Sequence, residues 1–342
     1  MANQRTIAKF LGIHQSTVSL ALRGDPSITA GTRSKVAEAA RKLGYFPNPY
    51  VSTLMAHIQS GKEVRDKGCL ALVVDATDEA RWLCHPAYRQ QYESIRARAA
   101  LRGFRTECFF LGASGMSARK LDRILHARGI IGVIFAAPMV SPDLTLDMRW
   151  ERYACVTSGY TWPAPPVDRV STHHRHHLET AFAELRRRGY KRIGFGLPRM
   201  AEQRADSNWL AGWLLCQHRL PARDRIPELA GYPGDVPFFK FRRWHARWKP
   251  DALISLNGAE YPWLQKIGLN PGTNFGLVCL FHQPGSDFAA VDENNAVIGE
   301  MLCDLVAAHI VHNERGIPAH PRLILVEGTW IEGKTVRPQP IS

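Results

Sequence analysis

The sequence predicts a small all-α domain of the helix-turn-helix type, followed by an α/β body with two lobes. Three observations predict this fold class. Two short helical patterns flank a glycine near the amino terminus, strand and helix patterns then alternate along the chain, and the alternation occurs in two successive series. The chain has 342 residues, of which 45% are hydrophobic, and this is enough for several buried cores.

The first helix is expected to follow Asn3, whose side chain can cap the free amides of the first turn. Ile7, Ala8 and Leu11 recur at helical spacing and form one apolar face. Gly12 then tolerates the positive φ that a tight turn requires. These features predict a short helix that ends in a sharp corner.

The second helix is predicted to turn Val18, Ala21 and Leu22 inward. Its outward residues are Gln15, Ser16, Thr17, Ser19 and Leu20. Short hydroxyls beside an amide suit contacts with phosphates and with base edges. The outward face is therefore a candidate surface for reading DNA.

A third helix is predicted to begin at Thr29 and to end at Gly44. Its inward residues are Val36, Ala40 and Leu43. Residues 1–49 contain seven basic and two acidic side chains, a net charge of +5 that suits a surface facing phosphates. The alternative is an ordinary three-helix surface domain, which can also contain small residues and a glycine turn.

Two stretches, STVSLALRGDPSIT and TRSKVAEAARKLGYFPNP, resemble the amino-terminal domain of lac-repressor-type (LacI/GalR) regulators, without gaps from Asn3 to Ala56. The resemblance implies a sequence-specific DNA-binding transcriptional regulator that acts as a repressor. It assigns base reading to Gln15, Ser16 and Leu20. It assigns contacts with the DNA backbone to Thr17, Ser19, Thr32 and Asn48.

Two residues of the second helix depart from the family pattern. His14 stands where Ser is usual, and an imidazole is expected to cap this helix more weakly. Leu20 is often polar or basic in relatives, so an apolar contact such as a thymine methyl is expected here.

Residues 1–47 are thus predicted to form the headpiece, and residues 48–67 a hinge helix and linker. In NPYVSTLMA, Pro49 can occupy the first helical position. The resemblance implies that Leu54 is a wedge inserted into the minor groove. The alternative is that Leu54 and Met55 pack against the body.

Charge, cysteine content and the lack of apolar segments indicate the cellular compartment rather than the DNA surface. The net charge of +13 is spread well beyond the headpiece, so it does not itself define a DNA surface. Seven cysteines lie singly without a C-x-x-C pair, which indicates reduced thiols rather than a disulfide framework. The amino terminus lacks a secretory apolar segment, and no apolar run of 18 residues occurs. A cytoplasmic protein is expected.

The body, residues 68–342, alternates strands such as CLALVVD, IIGVIFA and DALISL with amphipathic helices. This order predicts parallel sheets with helices on both faces and a ligand cleft at the carboxyl ends of the strands. It resembles the periplasmic-binding-protein-like (type I) effector domain of the same regulators. That resemblance puts lobe 1 at about 68–165 and 290–316, and lobe 2 at about 168–286 and 320–342.

The cleft residues depart from the sugar-binding pattern. Asn257 matches an Asn that contacts the effector, but Gly258, Trp209 and His282 stand where relatives have Asp, Arg and Asp. Aromatic rings could instead stack on a sugar or on another flat ligand. The alternative for each residue is packing in a core or at the surface. The candidate effector residues are Trp82, His85, Tyr88, His173, Trp209, Asn257 and His282.

The run HHRHH places His173 and His177 at a spacing of four, which would share a helix face. No Cys or carboxylate at ligand spacing joins them, so the sequence favours a polar cleft rim over a metal site. No G-x-S-x-G or H-E-x-x-H motif is present. We therefore predict no metal, no cofactor and no enzymatic activity. The rival hypotheses are a metal-dependent enzyme using HHRHH, and a ligand-binding protein with a vestigial headpiece.

The expected partners are double-stranded operator DNA, a small-molecule effector and a second copy of the chain in a homodimer, without a membrane. The ending VRPQPIS has no leucine heptads, so a tetramer of the lac type is not expected.

Overall fold

The computed structural model describes residues 4–22, 27–43, 68–137, 146–162, 164–229 and 238–338. The predicted hinge segment, with Asn48 and Leu54, lies outside these ranges. The helices are α1 Gln4–Leu11, α2 Gln15–Leu22, α3 Ala30–Lys42, α4 Glu79–Leu83, α5 Pro86–Leu101, α6 Ala118–Ala127, α7 His174–Arg187, α8 Arg199–Arg204, α9 Asn208–His218, α10 Phe238–Trp248, α11 Tyr261–Lys266 and α12 Asn295–His312. The strands are β1 Cys69–Val74, β2 Arg105–Phe110, β3 Gly132–Ala136, β4 Ala154–Ser158, β5 Asp168–Thr172, β6 Ile193–Phe195, β7 Ala252–Ser255, β8 Gly276–Cys279, β9 Ala289–Asp292, β10 Leu323–Val326 and β11 Thr329–Ile331.

The headpiece contains the three predicted helices. Ile7, Val18 and Val36, one from each helix, are completely buried and form its centre together with small alanines. Gly12 adopts the predicted positive φ, at +66°. The Thr29 side chain caps α3 by accepting a hydrogen bond from the Thr32 amide at 3.3 Å. Close packing of alanines lets the three short helices share one core.

The first lobe is built on a parallel six-stranded sheet with the order β10-β5-β4-β3-β1-β2. Alternate residues of β1 face opposite sides, and both sides are buried, as expected for a parallel sheet covered by helices. Helices α5 and α12 pack on one side, and α6 covers the other. Gly299 allows α12 to approach α5 closely, because a Cβ there would lie 2.0 Å from Ser94 Oγ.

The second lobe has a five-stranded sheet with the order β11-β9-β8-β7-β6, in which only β11 is antiparallel to its neighbour. Helices α7 and α9 pack on one side, where Trp213 stacks on Phe195 at 5.2 Å between ring centroids. Phe241 of α10 and Leu264 of α11 belong to the core on the other side. Two α/β lobes with mostly parallel sheets confirm the predicted fold class.

The sheet order corrects the predicted lobe boundaries. Residues 168–172 and 323–326 were expected in lobe 2, but they form β5 and β10, which pair with each other in lobe 1. Residues 290–292 were expected in lobe 1, but they belong to β9 in the sheet of lobe 2. The strand β5 carries a buried Asp168, paired with Arg322 at 2.6 Å, so its sequence lacks the apolar run that marks a buried strand. Consequently the chain crosses between lobes after β5, β9 and β10, each time at the carboxyl end of a strand.

Within the described ranges one helix, α12, is long and apolar enough to cross a membrane by length and composition alone. It contacts α5 and strands β3, β4 and β5, and its Asp304 pairs with Arg98 at 2.6 Å. These contacts make α12 the central helix of the first lobe. The seven cysteines are free thiols.

Candidate DNA-binding face and interlobe cavity

The outer face of α2 presents the residues that were predicted to read bases. Gln15 and Ser16 are exposed, and Leu20 is partly exposed. Arg5 Nε of α1 donates a hydrogen bond to Gln15 Oε1 at 3.2 Å, which holds the amide in place on the surface. A double helix can therefore reach all three side chains.

His14 is the residue that caps α2. Its Nδ1 accepts a hydrogen bond from the Ser16 amide at 3.3 Å and lies 2.8 Å from Ser16 Oγ. An imidazole nitrogen thus performs the function of the usual hydroxyl at this position. The same contact orients the Ser16 hydroxyl, which is one of the predicted base-reading groups.

Three of the four residues predicted to contact the DNA backbone lie within the described ranges. Thr17, Ser19 and Thr32 are half-buried, and Thr32 Oγ1 lies 3.0 Å from Thr29 Oγ1. The predicted roles of Asn48 and Leu54 concern residues outside the described ranges and stay predictions.

A cavity of about 360 Å³ lies between the two lobes, at the carboxyl ends of the strands of both sheets. Parallel α/β sheets commonly bind ligands at this position. Four of the seven predicted effector residues line the cavity: His85, Tyr88, Trp209 and Asn257.

The other three candidates lie elsewhere. Trp82 belongs to the core of the first lobe, where its Nε1 donates to the Ala137 carbonyl at 3.0 Å. His282 lines a small pocket of about 30 Å³ that adjoins the cavity and shares Asn257 and Phe281 with it. His173 lies next to His176 and Glu327 rather than in the cavity. For Trp82 the packing alternative is the observed one. Trp209 lines the cavity but is also packed in the core of the second lobe, with 2% of its surface exposed.

The sequence analysis missed a chain of polar groups along the cavity wall, of which Ser158, Gln91 and Asn295 are buried and Glu293 is half-buried. Ser158 Oγ donates to Gln91 Oε1 at 3.0 Å, and Gln91 Nε2 donates to Asn295 Oδ1 at 2.7 Å. Asn295 Nδ2 in turn donates to Glu293 Oε2 at 3.1 Å. Two of these residues directly follow β9 in the stretch VDENN, and polar residues after a strand were the available signal.

Arg204 is a second lining residue that the sequence analysis missed. It ends α8, five positions before Trp209, and so supplies a guanidinium to a cleft in which Trp209 stands where relatives have Arg. Glu293 lines the same cavity. The cleft thus contains both a cationic and an acidic side chain, together with the rings of Tyr88 and Trp209.

Burial sets the protonation of the ionisable groups in the cavity. It raises the pKa of Glu293 to about 7, although the hydrogen bond from Asn295 opposes this shift. Burial, with a smaller contribution from His173, lowers the pKa of His174 to about 3, so this imidazole is neutral near pH 7. The wall therefore offers mainly uncharged hydrogen-bonding groups, aromatic rings and one guanidinium. Such a lining suits a polar, ring-shaped molecule.

Comparisons with known proteins agree with both parts of the molecule. The family model "Bacterial regulatory proteins, lacI family" matches residues 5–48. The regulator AglR of Rhizobium meliloti is 50% identical over 46 residues, which are 14% of this chain and 13% of AglR. The repressor CytR of Escherichia coli K12 is 22% identical over 196 residues, 56% of this chain and 52% of CytR. The matched stretches thus span about half or less of these relatives.

Solved structures share the complete fold. A complex of the transcriptional regulator CelR with cellobiose superimposes with a TM-score of 0.56 at 17% identity, over 98% of this chain and 100% of that one. A lac repressor dimer bound to operator and the anti-inducer ONPF gives a TM-score of 0.54 at 16% identity, over 98% and 99%. The headpiece thus matches the lacI family model, and the two-lobed body has the fold of these solved structures.

Proposed function

We propose that the protein is a sequence-specific DNA-binding repressor of transcription whose affinity for its operator is set by a small molecule bound between the lobes. The observation that carries this proposal is the exposed face of α2, where Gln15 and Ser16 are held by Arg5 and His14 on a basic domain. An exposed, oriented amide and hydroxyl on a short helix match the needs of major-groove readout.

On DNA, α2 would lie in the major groove with Gln15 and Ser16 on base edges and Leu20 against a thymine methyl. Thr17, Ser19 and Thr32 would contact phosphates, which position the domain without reading sequence. Asn48 and Leu54 would add a backbone contact and a minor-groove wedge, as the family resemblance implies. In a homodimer, two headpieces would bind a nearly palindromic operator.

For the effector we propose a polyhydroxylated ring such as a sugar, stacked against Tyr88. His85 and Asn257 line the same cavity and would bind hydroxyls, together with Arg204 and the chain of polar groups that ends at Glu293. The CelR structure of the same fold holds cellobiose. Because the cavity lies between the lobes, its occupant would change lobe closure. A coupling of about 1–3 kcal/mol would alter operator affinity about 5- to 150-fold.

The rival hypotheses have less support. The matched relatives are named as transcriptional regulators or repressors, which does not favour a metal-dependent enzyme. A vestigial headpiece is disfavoured because the predicted reading residues are exposed and polar neighbours orient them. We therefore propose a non-enzymatic, cytoplasmic regulator.

Selection of binding sites from random duplexes tests the DNA-binding half of the proposal. The wild-type chain should enrich one roughly palindromic sequence. Gln15→Ala should relax the preference at one or two positions by about 1–3 kcal/mol, or roughly 5- to 150-fold. Gln265→Ala, at an exposed glutamine of α11, is the matched control and should leave the preference unchanged.

Failure to enrich any sequence would refute sequence-specific binding. An unchanged preference in Gln15→Ala would instead show that α2 is not the reading helix.

A further inference from the structure

We propose that a divalent transition metal of the zinc type binds His173, His176 and Glu327, a group that we call the hinge triad. The side-chain ligand atoms of these three residues lie within 4.8 Å of one another. The site is distinct from the interlobe cavity, since none of the three residues lines it. The proposal does not depend on DNA binding or on the identity of the effector.

The hinge triad is assembled by two crossover segments. His173 directly follows β5, and Glu327 directly follows β10. The His173 amide donates to the Val326 carbonyl at 2.9 Å, so the backbone holds the two segments side by side. His176 lies in the first turn of α7, and its ring stacks on that of His173 with centroids 5.5 Å apart.

The donor set selects the class of metal. Two imidazole nitrogens and one carboxylate oxygen are typical of Zn²⁺, Co²⁺ or Ni²⁺, whereas Mg²⁺ and Ca²⁺ prefer oxygen ligands alone. Tetrahedral bonds of about 2.0–2.1 Å put neighbouring ligand atoms roughly 3.3 Å apart. The ligand atoms now lie within 4.8 Å of one another, and the two rings are nearly parallel at 17°. Binding would therefore require the imidazoles to turn until both nitrogens point at one ion, and water would complete the coordination.

The hydrogen bonding of the triad also suits a metal. His176 Nδ1 is buried and has no hydrogen-bond partner among the residues that the structure describes. A buried polar atom without a partner costs about 1–3 kcal/mol, and ligation of a metal is one way to satisfy such a nitrogen. The Glu327 carboxylate is exposed, so an ion can approach from solvent.

The structure pairs the histidines differently from the sequence prediction, which paired His173 with His177. His173 is the residue before α7, with φ −80° and ψ 68°, so helical spacing does not extend to it. His177 is instead completely buried and lies so near Gly328 that a Cβ there would be 2.4 Å from its Nε2. The carboxylate at Glu327 comes from a distant part of the chain, which explains why no ligand spacing was visible.

An ion in this site would restrain the movement of the lobes. It would link the first turn of α7, which packs in the second lobe, to the segment leaving β10 of the first lobe. His174, in the same turn, lines the interlobe cavity and contacts Trp209 with centroids 4.7 Å apart. Metal binding would therefore act on the turn that also forms part of the effector site.

The test is a titration of the full-length chain, produced without a histidine tag and stripped of metal, with Zn²⁺ in a calorimeter. We expect one ion per chain, bound at least tenfold more weakly by His176→Gln and by Glu327→Gln. Two control variants should bind as the wild type does: His126→Gln, which alters an exposed histidine of α6, and Cys84→Ser, which removes an exposed thiol.

Co²⁺ absorption of the wild-type chain gives a second measurement that does not depend on variants. Nitrogen and oxygen ligation should give visible d–d bands without the intense near-ultraviolet band of a thiolate. Absence of stoichiometric binding, equal binding by all variants, loss of binding in Cys84→Ser, or a thiolate band would each overturn the proposal.

Discussion

The free energy of unfolding of the wild type should fall as the pH rises, because Glu293 in the cavity wall then loses its proton. Replacing Glu293 with Gln should remove this fall. The carboxyl group accepts one hydrogen bond, from Asn295 at 3.1 Å, and burial raises its pKa to about 7 from an ordinary value of 4.5. The side-chain amide that Glu293→Gln introduces would keep an oxygen to accept the same bond but carries no ionisable proton.

The sign of the effect follows from proton uptake. Between pH 4.5 and about 7 the native state retains the proton of Glu293, whereas the unfolded chain releases it. The free energy of unfolding must then fall as the pH rises through this window, and the full loss is present above the native pKa. A shift of this size corresponds to at most about 3 kcal/mol.

The assay is urea unfolding of the body at about pH 5 and about pH 8, followed by tryptophan fluorescence. The wild type should lose about 2–3 kcal/mol more than Glu293→Gln between the two pH values. Glu93→Gln, at an exposed glutamate of α5, is the matched control and should follow the wild type. If Glu293→Gln shows the same pH dependence as the wild type, the surroundings of this carboxyl group do not raise its pKa.

Two further variants test the packing and the ligand site. Gly299→Ala places a Cβ 2.5 Å from the Gln91 carbonyl oxygen and should lower the stability of the body by about 1–3 kcal/mol in urea unfolding, whereas Gly31→Ala, with no atom within 4 Å of the added Cβ, should leave that transition unchanged. Arg204→Ala should abolish or greatly reduce the thermal shift given by a sugar that stabilises the wild type, and Arg199→Ala, exposed on the same helix, should not. Equal shifts in the two arginine variants would remove Arg204 from the ligand site.

The headpiece was predictable because its determinants are local. The turn at Gly12, the cap at Thr29 and the inward stripe through Val18 each depend on residues only a few positions apart. The sequence analysis expected His14 to cap more weakly than the usual Ser, and the structure shows the capping hydrogen bond at 3.3 Å. A preference for hydroxyl caps is a statistical rule, whereas the structure requires only an acceptor at the right distance from the Ser16 amide.

The cavity was only partly predictable, since its contacts join distant parts of the chain. Gln91 and Asn295 are 204 positions apart, so no local pattern reveals their hydrogen bond. Choosing candidates by residue type selected Tyr88 and Trp209, which line the cavity, but also Trp82, which packs in a core. The lobe assignment of β10 was wrong because an apolar run predicts a strand without indicating which sheet it joins.

The position of a residue at the end of a strand predicts the lining of the cavity better than its residue type does. Ser158, Thr172 and Glu293 each end a strand or directly follow one, and all three line the cavity. The hinge triad obeys the same rule, because His173 and Glu327 follow β5 and β10. The first turn of α7 therefore contributes to both sites: His174 lines the cavity, and His176 belongs to the hinge triad. Binding at the two sites must then be reciprocal: if Zn²⁺ tightens the binding of a cavity ligand by some factor, that ligand tightens Zn²⁺ by the same factor.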